Sequence, residues 1–478
     1  MGGTMPVTKT YRLLLLATVA VGALVFFWGL GSLPLLSYNE ARRAIPASTM
    51  FVSGDWLLPR LNGDLYLAKP PLLYWLSAAS AHLFGAANEW AVRLPSALAA
   101  SVVAVLAYRY ALRQFGPWPA LFAVQILIAN TSFAMDARRA QIEMLLTALC
   151  FSSLLAALHY TRGDGDRRWL WLSYLLLGAA TLTKGPLALL FVTLPLLANA
   201  LYQRQPRLWL ALRDPIGWAI FLVVGSSWFL AVTWQMGTGI WSAILQKDIV
   251  SKVAGASGDP FFMYLVWMLA DFFPFSLLLF VAPLATWRRW REEPAKLTLL
   301  LAVAASLVVY SVFSSKNAKY LLPAYPLVAI FLGARLGELL ESAGPRLRRG
   351  LLGLALLLPT GYAAFYAVAE ARVLDYRYTA FPQFTGWLAS VGETPLYGYL
   401  SLDERLIYYA RRDIPIVNDE ALQRLRAAGT PLLLLVEGGK AAGMKAQADC
   451  SVREFQPYLS RNKVLAVYGF GAACPAPR

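Results

Sequence analysis

Apolar residues in this chain come in long blocks, not in the short alternations of a soluble fold. Read with a window of about 19 residues, the first block runs from about Leu13 to Leu30, behind Lys9, Tyr11 and Arg12. Others lie near 89–108, 117–134, 143–160, 169–182, 185–202, 215–234, 261–283, 297–314, 320–339 and 350–369. Most are close to the ~20 residues that cross a bilayer, which predicts about eleven transmembrane helices. Several blocks hold Gly or Pro, which membrane helices tolerate when neighbours satisfy the freed backbone. The basic start would also suit a signal peptide, but no clear small-x-small cleavage site precedes the polar stretch that follows. An uncleaved first span is the better reading.

Two long segments break the pattern. Residues 32–88 are amphiphilic, and residues 371–478 change character altogether. The tail has short apolar runs at Pro395–Leu400, Pro415–Val417, Pro431–Val436 and Val464–Val467, with helix-like stretches at Asp403–Arg411 and Asp419–Ala428. Strands alternating with helices predict a small α/β domain. The expected division is 1–370 as the membrane unit and 371–478 as a soluble unit.

Composition sharpens this. Of 478 residues, 58% are hydrophobic and only 15% charged, against about 25% charged in soluble chains. A disordered, coiled-coil or collagenous protein is ruled out. Lys and Arg exceed Asp and Glu by 43 to 27, a net charge of +16. In a soluble chain that would suggest nucleic acid. Here it means basic cytoplasmic loops. With the N-terminus inside, the inside loops hold Lys9 and Arg12; Arg109 and Arg113; Arg162, Arg167 and Arg168; Arg204, Arg207 and Arg213; Arg288, Arg289, Arg291 and Lys296; and Arg346, Arg348 and Arg349. Both long segments then fall outside. Three cysteines are too few for a disulfide scaffold or a Cys-rich zinc domain. Cys450 and Cys474 are the only two in the tail, and in an oxidising compartment they are expected to pair.

The segment after the first block carries the chemistry. Glu40, Arg42, Arg43, Asp55, Arg60 and Lys69 share one loop with Trp56, Tyr66, Tyr74 and Trp75. Cations among interfacial aromatics, against the positive-inside trend, suit a lipid phosphate. The run reads Asn39-Glu40, Arg42, Ser53-Gly54-Asp55-Trp56, Pro59, Asn62-Gly63, Tyr66, Lys69-Pro70-Pro71-Leu72 and Tyr74-Trp75. At this spacing it resembles the first extracytoplasmic loop of the ArnT/PMT-type glycosyltransferases, which have the GT-C fold. Further matches are Gln141–Thr147 (with Glu143), Thr183-Lys184-Gly185-Pro186, and Lys316 with Lys319-Tyr320-Leu321-Leu322-Pro323. The resemblance covers roughly residues 12–340.

What the resemblance implies is transfer of a sugar, with inversion, from a polyprenyl-phosphate donor lipid to an acceptor lipid, glycan or protein at the outer face. The leaving group is a lipid phosphate, so preorganised cations are needed. Arg42, Lys69, Lys184 and Lys319, with Tyr320, are the candidates for holding it. A carboxylate would serve as base toward a hydroxyl acceptor. The family's leading acid is Asn39 here, so Glu40 and Glu143 are the expected carboxylates. The residue before Lys69 is Ala68 where the family often has Glu; no cofactor is implied with certainty, and a divalent metal stays open. Arg43, Asp55, Arg60, Tyr66, Asp248, Lys252, Asp271 and Lys316 are further candidates. Asp271 lies inside an apolar run, where an ionisable group is costly unless paired or functional. The competing function is a transporter or flippase of lipid-linked sugars or anionic solutes. Inverted repeats and broken helices at the midplane would mark it, and the sequence shows neither.

Overall fold

The computed structural model describes residues 9–162, 165–245, 259–280, 292–312, 316–373 and 378–474. The first helix, α1 (Lys9–Phe27), is followed by the amphiphilic segment, which is folded and not merely lying on a surface. Ser37 starts α2 (Tyr38–Ser53) by accepting the Glu40 N–H, and Gly54, at φ +73°, ends it. That left-handed angle suits glycine and lets the chain turn at once. Asp55 then accepts the Leu57 and Leu58 N–H groups, which is the turn role its Ser-Gly-Asp-Trp setting suggests. A two-residue hairpin, β1 (Arg60–Leu61) and β2 (Asp64–Leu65), reverses at Asn62-Gly63. Helix α3 (Leu72–Phe84) follows and packs on α2 through Ala47, Met50, Tyr74 and Ala78.

Next come α4 (Glu89–Phe115), α5 (Pro117–Ile128), α6 (Thr131–Ala137), α7 (Ile142–Thr161) and α8 (Arg167–Lys184). Among the described residues seven helices are long and apolar enough to cross a membrane, or eight if one bent pair counts as a span. That is fewer than the apolar blocks suggest, and the reasons are local. Helix α8 carries Arg167, Arg168 and Lys184. The expected span at 117–134 is α5 plus α6, bent by 70°. The block at 261–283 is a short helix, Met263–Asp271, then a 3-10 turn at Phe275–Leu279. The block at 297–314 falls on a shorter apolar helix, Pro294–Val308, whereas the block at 320–339 is counted, although it begins with a 3-10 turn, Ala318–Ala324, before the helix Tyr325–Ser342. Helix α5 and Tyr325–Ser342 approach very closely at Gly333. A Cβ there would lie 2.7 Å from the Ala123 nitrogen and the Pro119 oxygen. Only a glycine admits that contact.

The tail forms a five-stranded sheet in the order β4-β3-β5-β7-β6. Its strands are β3 (Leu396–Tyr399), β4 (Ile416–Val417), β5 (Leu432–Glu437), β6 (Cys450–Phe455) and β7 (Leu465–Phe470). The first three pair in parallel and the last two join antiparallel. Helices Glu404–Ala410 and Asp419–Ala427 fall where expected. The sheet sits against the first loop. Asn62 makes paired hydrogen bonds to the Ile414 backbone at 2.8 and 2.7 Å, and Arg42 meets Glu404 at 2.5 Å. The loop's Asn-Gly turn is thus a latch for the tail.

Cys450 and Cys474 form a disulfide across a separation of 24 residues, and Cys150 is free and buried. A loop of that length should contribute about 3 kcal/mol. A non-reducing peptide map is expected to yield the linked pair. Two freely alkylated thiols would contradict it.

Candidate active site

Helices α7 and α8 pack side by side, so the start of one meets the end of the other. Glu143 stands in the first turn of α7, where the helix dipole favours an anion, and Lys184 in the last turn of α8, where it favours a cation. Lys184 Nζ lies 3.1 Å from Glu143 Oε1, with both side chains largely buried. The 3-10 turn Ala318–Ala324 packs on α7. It places the Tyr320 ring 4.2 Å from Lys184 Nζ, a cation–π contact. It also brings Lys319 to within 3.5 Å of Asp136 Oδ1. Asp136 is buried, and its other oxygen has no hydrogen-bond partner among the described residues.

Arg43 comes in from α2. It donates to the Tyr66 and Tyr74 hydroxyls at 3.1 and 3.2 Å, and it feels the charge of Glu143. Its buried Nε has no partner among the described residues. The result is three cations, Arg43, Lys184 and Lys319, around two carboxylates, Glu143 and Asp136. Such a set leaves positive charge over for an anion and offers a carboxylate to a hydroxyl proton.

Glu40 is elsewhere, and its surroundings speak against the general-base role expected of it. It is wholly buried, with Arg93 Nε at 2.7 Å from Oε1. The Leu36 and Ala140 N–H groups donate to its oxygens at 2.7 and 3.1 Å. Arg93 also donates to the Leu30, Leu33 and Pro34 carbonyls. Burial alone would raise the Glu40 pKa, but the Arg93 charge and these hydrogen bonds hold it below its ordinary value. The pair pins the loop to the bundle, and both Glu40 oxygens are taken up by Arg93 and backbone N–H donors.

The other candidates divide. Arg42 is engaged with Glu404 and the Tyr38 ring, not with the cluster. Arg60 donates to Gly63 within the hairpin. Lys69 donates to the Ala68 carbonyl at 2.9 Å. Asn39 is half-buried in the first turn of α2, and Lys316 is half-buried just before the Ala318–Ala324 turn. Asp271 has found partners: it accepts from Ser132 at 2.7 Å and Tyr325 at 2.5 Å, and so fastens α6 to the bundle. Glu143 pairs with Lys184 and not with Arg138, which instead meets Glu370 at 3.4 Å. Asp248 and Lys252 lie outside the described residues. Among those described, no group of three or more His, Cys, Asp or Glu could hold a metal ion. The divalent metal that the resemblance leaves open therefore lacks such a ligand set there.

Sequence reasoning missed Arg93, which holds Glu40, and Asp136, which meets Lys319. The available signal was an ionisable residue at the edge of an apolar block. Arg93 opens the block at 89–108, and Asp136 follows the one at 117–134.

Superposition decides the architecture. The crystal structure of ArnT from Cupriavidus metallidurans bound to undecaprenyl phosphate matches with a TM-score of 0.80, over 98% of this chain and all of that one, at 21% identity. The fold is ArnT-like, and the family resemblance holds. Residues 68–234 match the family described as dolichyl-phosphate-mannose-protein mannosyltransferase. The undecaprenyl phosphate-alpha-4-amino-4-deoxy-L-arabinose arabinosyl transferase of Aeromonas salmonicida is 27% identical over 74% of this chain. An uncharacterized protein of Aquifex aeolicus is 29% identical over 64% of it. The alignments span 67% and 60% of those two relatives' own lengths. The matched family region contains Lys69, Tyr74, Arg93, Asp136, Glu143 and Lys184. Three of the cluster's five charged groups, Asp136, Glu143 and Lys184, thus come from inside that region.

Proposed function

We propose that this chain is an integral-membrane glycosyltransferase. It moves a sugar from a polyprenyl-phosphate donor to an acceptor at the outer face, with inversion. The acceptor oxygen forms a bond to the anomeric carbon as the bond from that carbon to the lipid-phosphate oxygen breaks. The bonding pair leaves with the phosphate. If the acceptor is a hydroxyl, its proton passes to Glu143 or Asp136; an anionic acceptor needs no base. Lys184, Lys319 and Arg43, with Tyr320 against Lys184, stabilise the departing phosphate, and Lys69 is a further donor from the loop before α3. The observation that carries this reading is the buried Lys184–Glu143 pair set on Tyr320, beside Lys319 and Asp136. The ArnT structure's undecaprenyl phosphate supports a polyprenyl carrier. Mass spectrometry of envelope lipids and proteins, from cells with and without the chain, is expected to reveal a sugar-bearing species that the deletion lacks. Identical profiles would count against the reading.

All eleven apolar blocks cross the membrane on this account, with 32–88 and 371–478 outside. The basic inside loops support the orientation, and a tail disulfide suits an oxidising compartment. Ser53 and Ala427 are exposed. Cysteines placed there should react with an impermeant thiol reagent in intact spheroplasts. Reaction only after lysis would overturn the orientation.

A further inference from the structure

A cavity of about 500 Å³ lies between the α6 segment and the helix Pro345–Val373. Thr131 and Met135, one helical turn apart on α6, form one wall, with Arg139 just beyond the end of that helix. Asp136 is not part of that wall and turns to Lys319. The opposite wall is the helix Pro345–Val373, through Leu357, Gly361 and Phe365. Only 22% of that helix's apolar window is buried within the protein. Leu357 is 70% exposed and Phe365 42%. In a bilayer such a wall faces acyl chains, so the cavity opens sideways into lipid.

One end is polar, and its charges are not balanced. Glu370 lines the cavity, but Arg138 already pairs with it. Arg138 is further fixed by the Val25 and Trp28 carbonyls, each at 2.8 Å, and by the Tyr366 ring. Arg139 stands beside them, half-buried, and its side chain has no hydrogen bond or ion pair among the described residues. A guanidinium offers five donors in a fork that matches a phosphate. Asp136 and Glu40 act on Arg139 only through space, and each has its own cation, Lys319 and Arg93. Apolar walls open to the bilayer, ending at a cation with no direct ion pair among the described residues, describe a lipid site that favours an anionic headgroup.

We propose that this groove holds a two-chain anionic phospholipid of the bilayer as a resident lipid. Its phosphate sits on Arg139 and its acyl chains run along Leu357, Leu358 and Phe365. None of the residues lining the groove belongs to the cluster around Lys184 and Lys319. The proposal concerns binding and does not depend on sugar transfer.

The test is native mass spectrometry of the full chain, reconstituted in phosphatidylcholine with or without phosphatidylglycerol and then released. The wild type is expected to retain one phosphatidylglycerol in preference to phosphatidylcholine. Arg139→Gln should weaken that retention by roughly tenfold, as expected for one charge-assisted contact. Gly361→Leu should also weaken it without touching charge. A Cβ at Gly361 meets nothing within 4 Å, so the larger side chain fills open groove. Should either variant fail to fold, competition on the wild type decides. Equal retention of the two phospholipids overturns the proposal. So does displacement of phosphatidylglycerol by stoichiometric polyprenyl phosphate, which would make the groove a donor site.

Discussion

Arg93→Met is expected to destabilise the protein by about 3–5 kcal/mol, the range for removing one partner of a buried ion pair. The change leaves the Glu40 carboxylate at 0% exposure without its counter-charge. It also strips the Leu30, Leu33 and Pro34 carbonyls of their donor. Glu40→Gln should cost less, since the amide keeps the shape and one acceptor oxygen. The double change Glu40→Leu with Arg93→Met should recover part of the loss, because no charge is then stranded. The pH dependence has a definite sign. The folded Glu40 pKa lies below its ordinary 4.5. The pair's contribution is therefore full above that pH and is lost as pH falls through the folded value. Thermal unfolding of the purified protein reads all of these. An Arg93→Met protein that melts with the wild type would contradict the structural role given to Glu40.

Lys184→Ala should lower turnover by about 10²–10³, as expected when a preorganised charge is removed from a leaving group. It removes the cation nearest Glu143 and vacates the space over Tyr320. Glu143→Gln should lower turnover by roughly 10²–10⁴ if that carboxylate takes the proton. It should do so by less if the acceptor is already anionic. The double variant should fall short of the product of the two losses, because each single change also strands its partner. Transfer in membranes at matched expression is the readout. Full activity in Lys184→Ala would remove the cluster from the mechanism.

Legibility in the sequence followed the range of the interactions. Helices read from apolar runs were found close to their observed positions. The bend between α5 and α6 was not, because it follows from packing: Asn130 caps α6, and Asp271 on another helix accepts from Asn130 and Ser132. In the tail, β5 and β7 announce themselves as apolar runs. Strand β6 sits at the sheet edge with alternating exposure and a register shift between Ser451 and Arg453, so its sequence reads as polar coil. The loop motifs marked out a segment that is folded, and several of their residues serve to build it. Asn62 and Asp55 turned out to build the loop, and Arg43, ranked below Arg42, is the arginine that faces the cluster. Nothing local distinguishes Glu40 from Glu143. What separates them is Arg93, 53 residues along the chain from Glu40.

The most direct measurement uses purified protein in vesicles with the donor named for the Aeromonas relative, undecaprenyl phosphate-alpha-4-amino-4-deoxy-L-arabinose. An envelope-lipid extract serves as acceptor. Mass spectrometry should show free undecaprenyl phosphate appearing in step with a sugar-bearing acceptor, and both should fade in Lys184→Ala. Intact donor equilibrating between leaflets, with no free undecaprenyl phosphate and no sugar-bearing product, would contradict transfer and mark the chain as a flippase.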